Sequence, residues 1–255
     1  MAALAFLRAV PFFSWPPLYR LGLLLLVLLA LLVLIQRRWP FEHVPHRYPE
    51  PWRWRAGGLG RACLVPALFI GFGLVALHGH GLYSSEEARR DILAHFSRFH
   101  TTVDNYFQFL PYLELGALVL LGVDTLSDRR NTGWLVLRSE VLMLAAVYAL
   151  KYATAIDRPD GTPNAFPSGH TAQAFLAASL VHQELRHKSP WYGAGAYAIA
   201  AAVGVLRMLN NKHWEADVLV GAGLGILAAH LAYYFHRTRP GRGATPASPD
   251  PARPA

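Results

Sequence analysis

Residues 151–217 contain three short motifs in order, KYATAIDRP (151–159), PSGH (167–170) and RMLNNKHWEAD (207–217). The stretch around them is otherwise largely apolar. The fixed positions of the motifs contribute three cations, two imidazoles and one carboxylate, namely Lys151, Arg158, Arg207, His170, His213 and Asp217. Because a cluster of cations beside lipid is costly without an anionic partner, the pattern predicts a site that binds an anion.

The composition is typical of a membrane protein. Of 255 residues, 53% are hydrophobic and 16% are charged, against about 25% charged residues in soluble domains. The apolar residues cluster in seven runs, which are Leu21–Ile35, Cys63–Leu77, Phe109–Val123, Trp134–Leu150, Ala172–Val181, Trp191–Leu206 and Val218–Phe235. Any one run is alternatively a buried core helix. Together they predict an all-α fold, a polytopic membrane helical bundle of about six to seven transmembrane helices.

The formal net charge of +8 is spread over loops between the apolar runs, which argues against nucleic acid as a partner. Basic loops before Arg61, at residues 128–130 and 186–188, and after Arg237 alternate with the loops that carry the motifs. The positive-inside rule assigns the basic loops to the cytoplasm. The motifs would then face the periplasm from a bacterial inner membrane. The single cysteine, Cys63, excludes an intrachain disulfide.

The chain is expected to have three parts. Residues 1–60 would form an N-terminal membrane anchor and a basic, aromatic interfacial linker; whether Leu21–Ile35 spans the bilayer or lies on it stays open. Residues 61–236 would form the membrane-embedded domain, and 237–255 a disordered, Pro-rich cytoplasmic tail. Within the domain, alternating charged and apolar residues in 84–107 predict an amphipathic helix that packs on the domain or covers its site.

The PSGH motif precedes an Ala-rich helix. Ser168 is a candidate N-cap, which leaves Gly169 and His170 in the first helical turn. Free backbone N–H groups at a helix N-terminus bind anions, and Gly169 lets a ligand approach the backbone. His170 would lie beside the anion, where it can donate a proton to a leaving oxygen. Taken alone, the four residues do not exclude a capped helix with a structural histidine.

His213 and Asp217 are four residues apart at the start of the last apolar run. This spacing places them on one helix face, one turn apart. A carboxylate bonded to one ring nitrogen fixes the histidine tautomer and leaves the other nitrogen available as a nucleophile. A simple surface pair is the alternative.

The three cations lie at predicted helix ends or in loops. Lys151 ends an apolar helix, Arg158 lies in a Pro- and Gly-containing loop, and Arg207 lies near the end of the next-to-last apolar run. The Arg fork and the compact Lys ammonium both suit phosphate oxygens. Each cation alone is consistent with a snorkelling or surface charge. Their assignment to one membrane face together with both histidines favours a phosphate-handling site.

The three motifs resemble those of the type 2 phosphatidic acid phosphatase superfamily, whose scaffold is shared with vanadium haloperoxidases and bacterial acid phosphatases. The family pattern is K-x6-R-P, P-S-G-H and S-R-x5-H-x3-D. This chain departs from it at Leu206, where the family has Ser, which removes a possible hydroxyl from the phosphate-binding loop. The resemblance runs from about Leu82 to Phe235.

The resemblance implies a phosphatase-type helical core and a phosphatase that needs no metal or other cofactor and forms a phosphohistidine intermediate. Matched by motif, His213 would be the nucleophile, Asp217 its orienting carboxylate, and His170 the general acid and base. Phosphoryl oxygens would be bound by the side chains of three cations and by the backbone of two motif residues, which are Lys151, Arg158, Arg207, Ser168 and Gly169.

The expected function is therefore hydrolysis of a phosphomonoester or pyrophosphate on a membrane lipid, with the bilayer and the lipid as partners. Phosphatidate, phosphatidylglycerol phosphate, undecaprenyl pyrophosphate and lipid A phosphate all present similar groups, so the substrate stays open, as does the oligomeric state. A non-catalytic lipid-phosphate binding or transport protein is the alternative. A vanadium-dependent haloperoxidase is a weaker one, because such proteins are soluble.

Overall fold

A computed structural model of the protein describes residues 41–42, 58–77, 84–235 and 238–239. This part of the chain contains eight helices, which are α1 (Gly58–Leu77), α2 (Ser85–Phe96), α3 (Asp104–Phe107), α4 (Leu110–Leu120), α5 (Arg129–Thr154), α6 (Gly169–Leu185), α7 (Pro190–Leu209) and α8 (Glu215–Tyr234). The predicted anchor Leu21–Ile35 and the end of the predicted tail lie outside the described residues. The all-α class is confirmed, apart from two residue pairs in extended conformation.

Those extended residues form the two shortest elements of the fold. β1 (Phe41–Glu42) pairs in parallel with β2 (Thr238–Arg239), with Phe41 opposite Thr238. The pairing joins a residue pair before α1 to the segment that follows α8.

Side chains at the helix starts explain why several helices begin where they do. Asp128 accepts hydrogen bonds from the backbone of Arg130 (3.0 Å) and Asn131 (3.1 Å), which begins α5 five residues before the predicted apolar run. Ser84 and Glu87 form a reciprocal capping box at the start of α2. These caps satisfy backbone N–H groups that have no partner within a helix.

α6 is the central helix of the bundle. Thirteen of its residues are buried, and its main neighbours are α7 and α8. Glycines allow α8 to lie directly on its backbone: a Cβ at Gly225 would come within 2.3 Å of the Ala172 carbonyl oxygen, and one at Gly221 within 2.6 Å of the Ser168 carbonyl oxygen. This close contact brings the start of α8 next to the PSGH motif.

Three described helices, α5, α7 and α8, are long and apolar enough to cross a bilayer. The apolar segment Ala62–Leu77 of α1 and helix α4 are shorter. Large apolar side chains on the outside of the bundle, such as Phe72, Leu113 and Leu120, are 66–80% exposed, as expected for surfaces that face lipid. The total number of spans stays a prediction.

The predicted run Ala172–Val181 has a different role from the one expected of a span. It lies within α6, whose residues are enclosed by neighbouring helices, so α6 is a buried core helix. Its small Ala side chains suit close packing on all sides. Hydropathy alone does not separate this environment from lipid, since both favour apolar residues.

The segment 84–107 forms two helices, and the prediction of one amphipathic helix is wrong in that respect. α2 ends at Phe96 and α3 begins at Asp104. In the connection, the backbone N–H and C=O of Thr101 both bond to the Asn210 side chain at 2.9 Å. These tertiary hydrogen bonds replace the helical ones and fasten the segment to the end of α7.

Candidate functional site

The predicted site residues come from consecutive elements that meet at one end of the bundle. They are Lys151 near the end of α5, Arg158 in the following loop, Ser168, Gly169 and His170 at the start of α6, Arg207 near the end of α7, and His213 and Asp217 at the start of α8. Successive antiparallel helices place these ends side by side.

Ser168 caps α6, as predicted. Its Oγ accepts a hydrogen bond from the Thr171 backbone N–H and lies 2.9 Å from Thr171 Oγ1. Its own backbone N–H donates to the Asp217 carbonyl oxygen at 2.9 Å. The expectation that this N–H binds phosphate therefore does not fit, because α8 already uses it. The N–H groups of Gly169 and His170 have no acceptor within the helix, since they lie in its first turn.

His213 and Asp217 form a buried pair. His213 Nδ1 lies 3.1 Å from Asp217 Oδ2, and the two residues are 4% and 0% exposed. Asp217 Oδ2 also accepts a hydrogen bond from the Trp214 backbone N–H at 2.9 Å. If Nδ1 carries the proton and donates it to this carboxylate, the lone pair of the imidazole is on Nε2. The predicted contact is confirmed, and the alternative of an exposed surface pair is excluded.

The environment of His213 favours the neutral imidazole. Burial lowers its pKa well below the usual value, and the positive charges of Arg207, Lys151 and Arg158 lower it further. The three cations predicted to bind phosphate thus act on the same histidine. A neutral imidazole beside several cations is suited to attack an electrophile that carries negative charge.

Lys151 is bound to the loop that leads into the PSGH motif. Its Nζ donates to the carbonyl oxygens of Asn164 (2.7 Å) and Ala165 (3.2 Å), and the residue is 9% exposed. Asn164 has a positive φ of 63°, which bends the loop back toward the lysine. Lys151 therefore orders this loop as well as adding positive charge.

The two guanidinium groups carry buried donors that the described residues do not satisfy. Nε of Arg158 and Nε of Arg207 are both buried and have no hydrogen-bond acceptor among the described residues. Buried polar groups are nearly always hydrogen-bonded. Two such donors next to His213 fit a site for an anion with several oxygens.

Asp104 is a site residue that the sequence did not indicate. Arg207 Nη1 donates to Asp104 Oδ2 at 2.6 Å, and both side chains are almost fully buried. Asp104 Oδ1 accepts a second hydrogen bond from Asn210 at 3.2 Å. In the sequence Asp104 was only one of several charges that alternate in sign, and its partner lies 103 residues away.

His170 also has a partner that the sequence did not indicate. His170 Nε2 lies 2.9 Å from Asn105 Oδ1, in the residue that follows Asp104. If Nε2 carries the proton, Nδ1 is left as the basic nitrogen. α3 thus contacts two motifs through two adjacent side chains.

The turn between α7 and α8 is attached to the loop that carries Arg158. Lys212 Nζ donates to Asp160 Oδ2 at 2.7 Å. Trp214 Nε1 donates to the Asp157 carbonyl oxygen at 2.9 Å. Asn211 takes a left-handed conformation, with φ of 56°, which allows the tight turn. These contacts hold the first and third motifs together.

The described residues contain no group of three or more His, Cys, Asp or Glu side chains placed to hold a metal ion. Cys63 is a free thiol on α1, away from the three motifs in the sequence.

Comparison with known proteins agrees with the resemblance seen in the motifs. Residues 132–240 match the family model of the PAP2 superfamily. The matched part of the chain contains all three motifs. Over 141 residues the chain is 40% identical to the lipid A 1-phosphatase of Porphyromonas gingivalis.

That alignment covers 54% of this chain and 31% of the relative, so the chain spans about a third of the relative's length. Among solved structures, the crystal structure of LpxE from Aquifex aeolicus is similar, with a TM-score of 0.45 and 23% identity, over 57% of this chain and 94% of the LpxE chain.

Proposed function

We propose that this protein is a lipid phosphatase that transfers the phosphoryl group of a membrane lipid to His213 and then to water. One observation carries the proposal: a buried His213–Asp217 pair lies where the charges of Lys151, Arg158 and Arg207 act on it. A site that only binds phosphate requires cations. It does not require a buried imidazole that is oriented by a carboxylate and kept neutral.

In the first step, His213 Nε2 attacks phosphorus and the bond from phosphorus to the ester oxygen breaks. Nδ1–H remains bonded to Asp217, which stabilises the positive charge that develops on the ring. His170 enters this step as the imidazolium and donates one proton to the leaving oxygen, so the lipid leaves as an alcohol and His170 becomes neutral. In the second step, His170 takes a proton from water, the water oxygen attacks phosphorus, and phosphate leaves His213.

Positive charge stabilises the transition state. Lys151, Arg158 and Arg207 would bind the equatorial phosphoryl oxygens, with the N–H groups of Gly169 and His170 at the helix N-terminus as further donors. Because these groups already supply the charge, no metal ion is required by the mechanism. Leu206 stands where the family has Ser and has no hydroxyl, so the phosphoryl group would be positioned by these cations and N–H groups alone.

We propose lipid A carrying a 1-phosphate as the substrate. This rests on the 40% identity to the Porphyromonas gingivalis enzyme over 141 residues. Apolar helices on both sides of the site would keep acyl chains in the bilayer while the headgroup reaches His213. The protein would lie in the bacterial inner membrane with the site facing the periplasm. Residues 61–236 would be the catalytic domain, residues 1–60 the anchor and linker, and residues 237–255 the tail.

The test is phosphate release by the purified full chain in detergent. Four lipids are compared: lipid A 1-phosphate, phosphatidate, phosphatidylglycerol phosphate and undecaprenyl pyrophosphate. We expect phosphate to be released fastest from lipid A 1-phosphate. EDTA should leave the rate of release unchanged, and the His213→Ala variant should release no phosphate. A faster rate on another lipid overturns the choice of substrate, and loss of activity in EDTA overturns the metal-free mechanism.

Two further results would replace the phosphatase reading. Lipid binding with no phosphate release by the wild-type protein would indicate a binding or transport protein. Bromide oxidation with added vanadate and peroxide would indicate a haloperoxidase.

A further inference from the structure

Arg89, on α2, makes three contacts that lie between two of the motifs. Its Nη2 donates to the Pro159 carbonyl oxygen at 3.1 Å, and its Nε donates to Asn211 Oδ1 at 3.0 Å. Its guanidinium also lies over the Trp214 ring, 5.6 Å from the ring centroid. None of the three motifs includes Arg89, and the family resemblance assigns it no role.

The partners of Arg89 lie within two residues of two proposed catalytic-site residues. Pro159 follows Arg158 in the chain, and His213 lies between Asn211 and Trp214. One guanidinium therefore joins the backbone next to a phosphate-binding cation to the turn that carries the nucleophile.

The loop around Arg158 is held by its own hydrogen bonds, so a shift of the Pro159 backbone also moves Arg158. The Arg158 N–H donates to the Thr162 carbonyl oxygen at 2.8 Å, and the Gly161 N–H donates to the Arg158 carbonyl oxygen at 2.9 Å. These bonds fix the backbone of Arg158 within its loop. They do not fix the position of that loop relative to His213.

That relative position depends on contacts to the turn between α7 and α8. Two of them, Trp214 to Asp157 and Lys212 to Asp160, join the loop and the turn directly. Arg89 adds a connection from a third element, α2, and it contacts both sides at once.

We propose that Arg89 is a positioning residue that sets the distance between the Arg158 guanidinium and His213. The inference rests on the proposed phosphate site. The role requires the planar shape of a guanidinium. Its N–H donors reach Pro159 and Asn211 in different directions within one plane, while its face stacks on the Trp214 ring. A lysine at this position keeps the charge but cannot bond to both acceptors and stack in the same way.

The experiment measures binding of inorganic phosphate to the purified full chain by calorimetry, with lipid turnover measured in parallel. Arg89→Ala is expected to weaken phosphate binding about tenfold, the usual effect of losing a hydrogen bond to a charged group. Arg89→Lys is expected to lose about fivefold, between the wild type and Ala. The matched control is Arg90→Ala, the next residue, whose side chain is 73% exposed in a 3.9 Å pair with Glu87. It should stay within about twofold of wild type.

A double-mutant cycle tests whether Arg89 acts through Arg158. In the Arg158→Ala background, adding Arg89→Ala should weaken phosphate binding by less than about twofold, because the group being positioned is gone. An equal loss in both backgrounds would show that Arg89 acts on phosphate by itself and would overturn the inference. Full binding by Arg89→Lys would also overturn it, since charge would then suffice.

The outcomes separate this inference from the proposed function. If wild type binds phosphate and the cycle behaves as expected but no lipid is hydrolysed, the phosphatase proposal fails and the role of Arg89 stands. If lipid is hydrolysed and Arg89→Ala equals Arg90→Ala, only the inference fails. If wild type neither binds phosphate nor hydrolyses lipid, both fail. Thermal unfolding of each variant shows whether it is folded, and Arg89→Lys supplies the readout if Arg89→Ala is not.

Discussion

Replacing Asp104 with Asn tests the buried ion pair at the site. The substitution preserves size and removes the negative charge that lies 2.6 Å from Arg207 Nη1. Losing one partner of a buried pair costs about 3–5 kcal/mol, mainly because the remaining charge is left uncompensated. Asn Oδ1 can still accept one hydrogen bond from Arg207. We therefore expect Asp104→Asn to lower the free energy of unfolding by about 3 kcal/mol.

For a protein of this size that loss corresponds to a decrease in the melting temperature of about 6–12 °C. The assay is thermal unfolding of the purified protein in detergent, followed by tryptophan fluorescence. The matched control is Arg90→Ala, which breaks an exposed pair with Glu87 and should cost less than about 1 kcal/mol.

Phosphate gives the same variant a second readout. Without Asp104, Arg207 has no carboxylate partner, so a bound anion neutralises more charge than it does in the wild type. A fixed concentration of phosphate should raise the melting temperature of Asp104→Asn by more than that of the wild type. A variant as stable as Arg90→Ala, or one that phosphate stabilises less than the wild type, would refute the reasoning.

Two further predictions concern helix packing and pH. Gly225→Ala should lower the free energy of unfolding by about 1–3 kcal/mol or more, because the new Cβ would lie 2.3 Å from the Ala172 carbonyl oxygen. In the control Gly195→Ala, the new Cβ meets no atom within 4 Å. This control should be neutral or slightly stabilising when thermal unfolding is measured in detergent. Arg158 is one of the positive charges that lower the pKa of His213, so Arg158→Gln should raise that pKa. Because protonation removes the nucleophile, the acid limb of the kcat/KM profile should move to higher pH. An unmoved limb would contradict this, and Arg90→Ala, which should leave the limb in place, is the control.

Contacts that are local in sequence could be predicted. The i, i+4 spacing of His213 and Asp217 and the N-cap Ser168 require only helix geometry, and both are present. Apolar runs located α5, α7 and α8. α5 extends beyond its run to Arg129 and Thr154, because the N-cap Asp128 and polar residues at both ends continue the helix.

Contacts between distant segments could not be predicted in this way. Asp104 and Arg89 read as ordinary charges of an alternating pattern, and only the fold brings them to Arg207 and to the loop after Arg158. The burial of α6 is a similar case, because an Ala-rich apolar run has the same composition whether it packs in protein or in lipid.

The most direct test of the central claim is to trap the protein during turnover of a ³²P-labelled lipid phosphate. After a rapid alkaline quench, which preserves phosphohistidine, the label should be found on the protein at His213. Label that forms on His170→Ala should be lost more slowly than label on the wild type, because water is no longer activated for the second step. Label on a different residue, or turnover with no labelled protein in either form, would contradict the account.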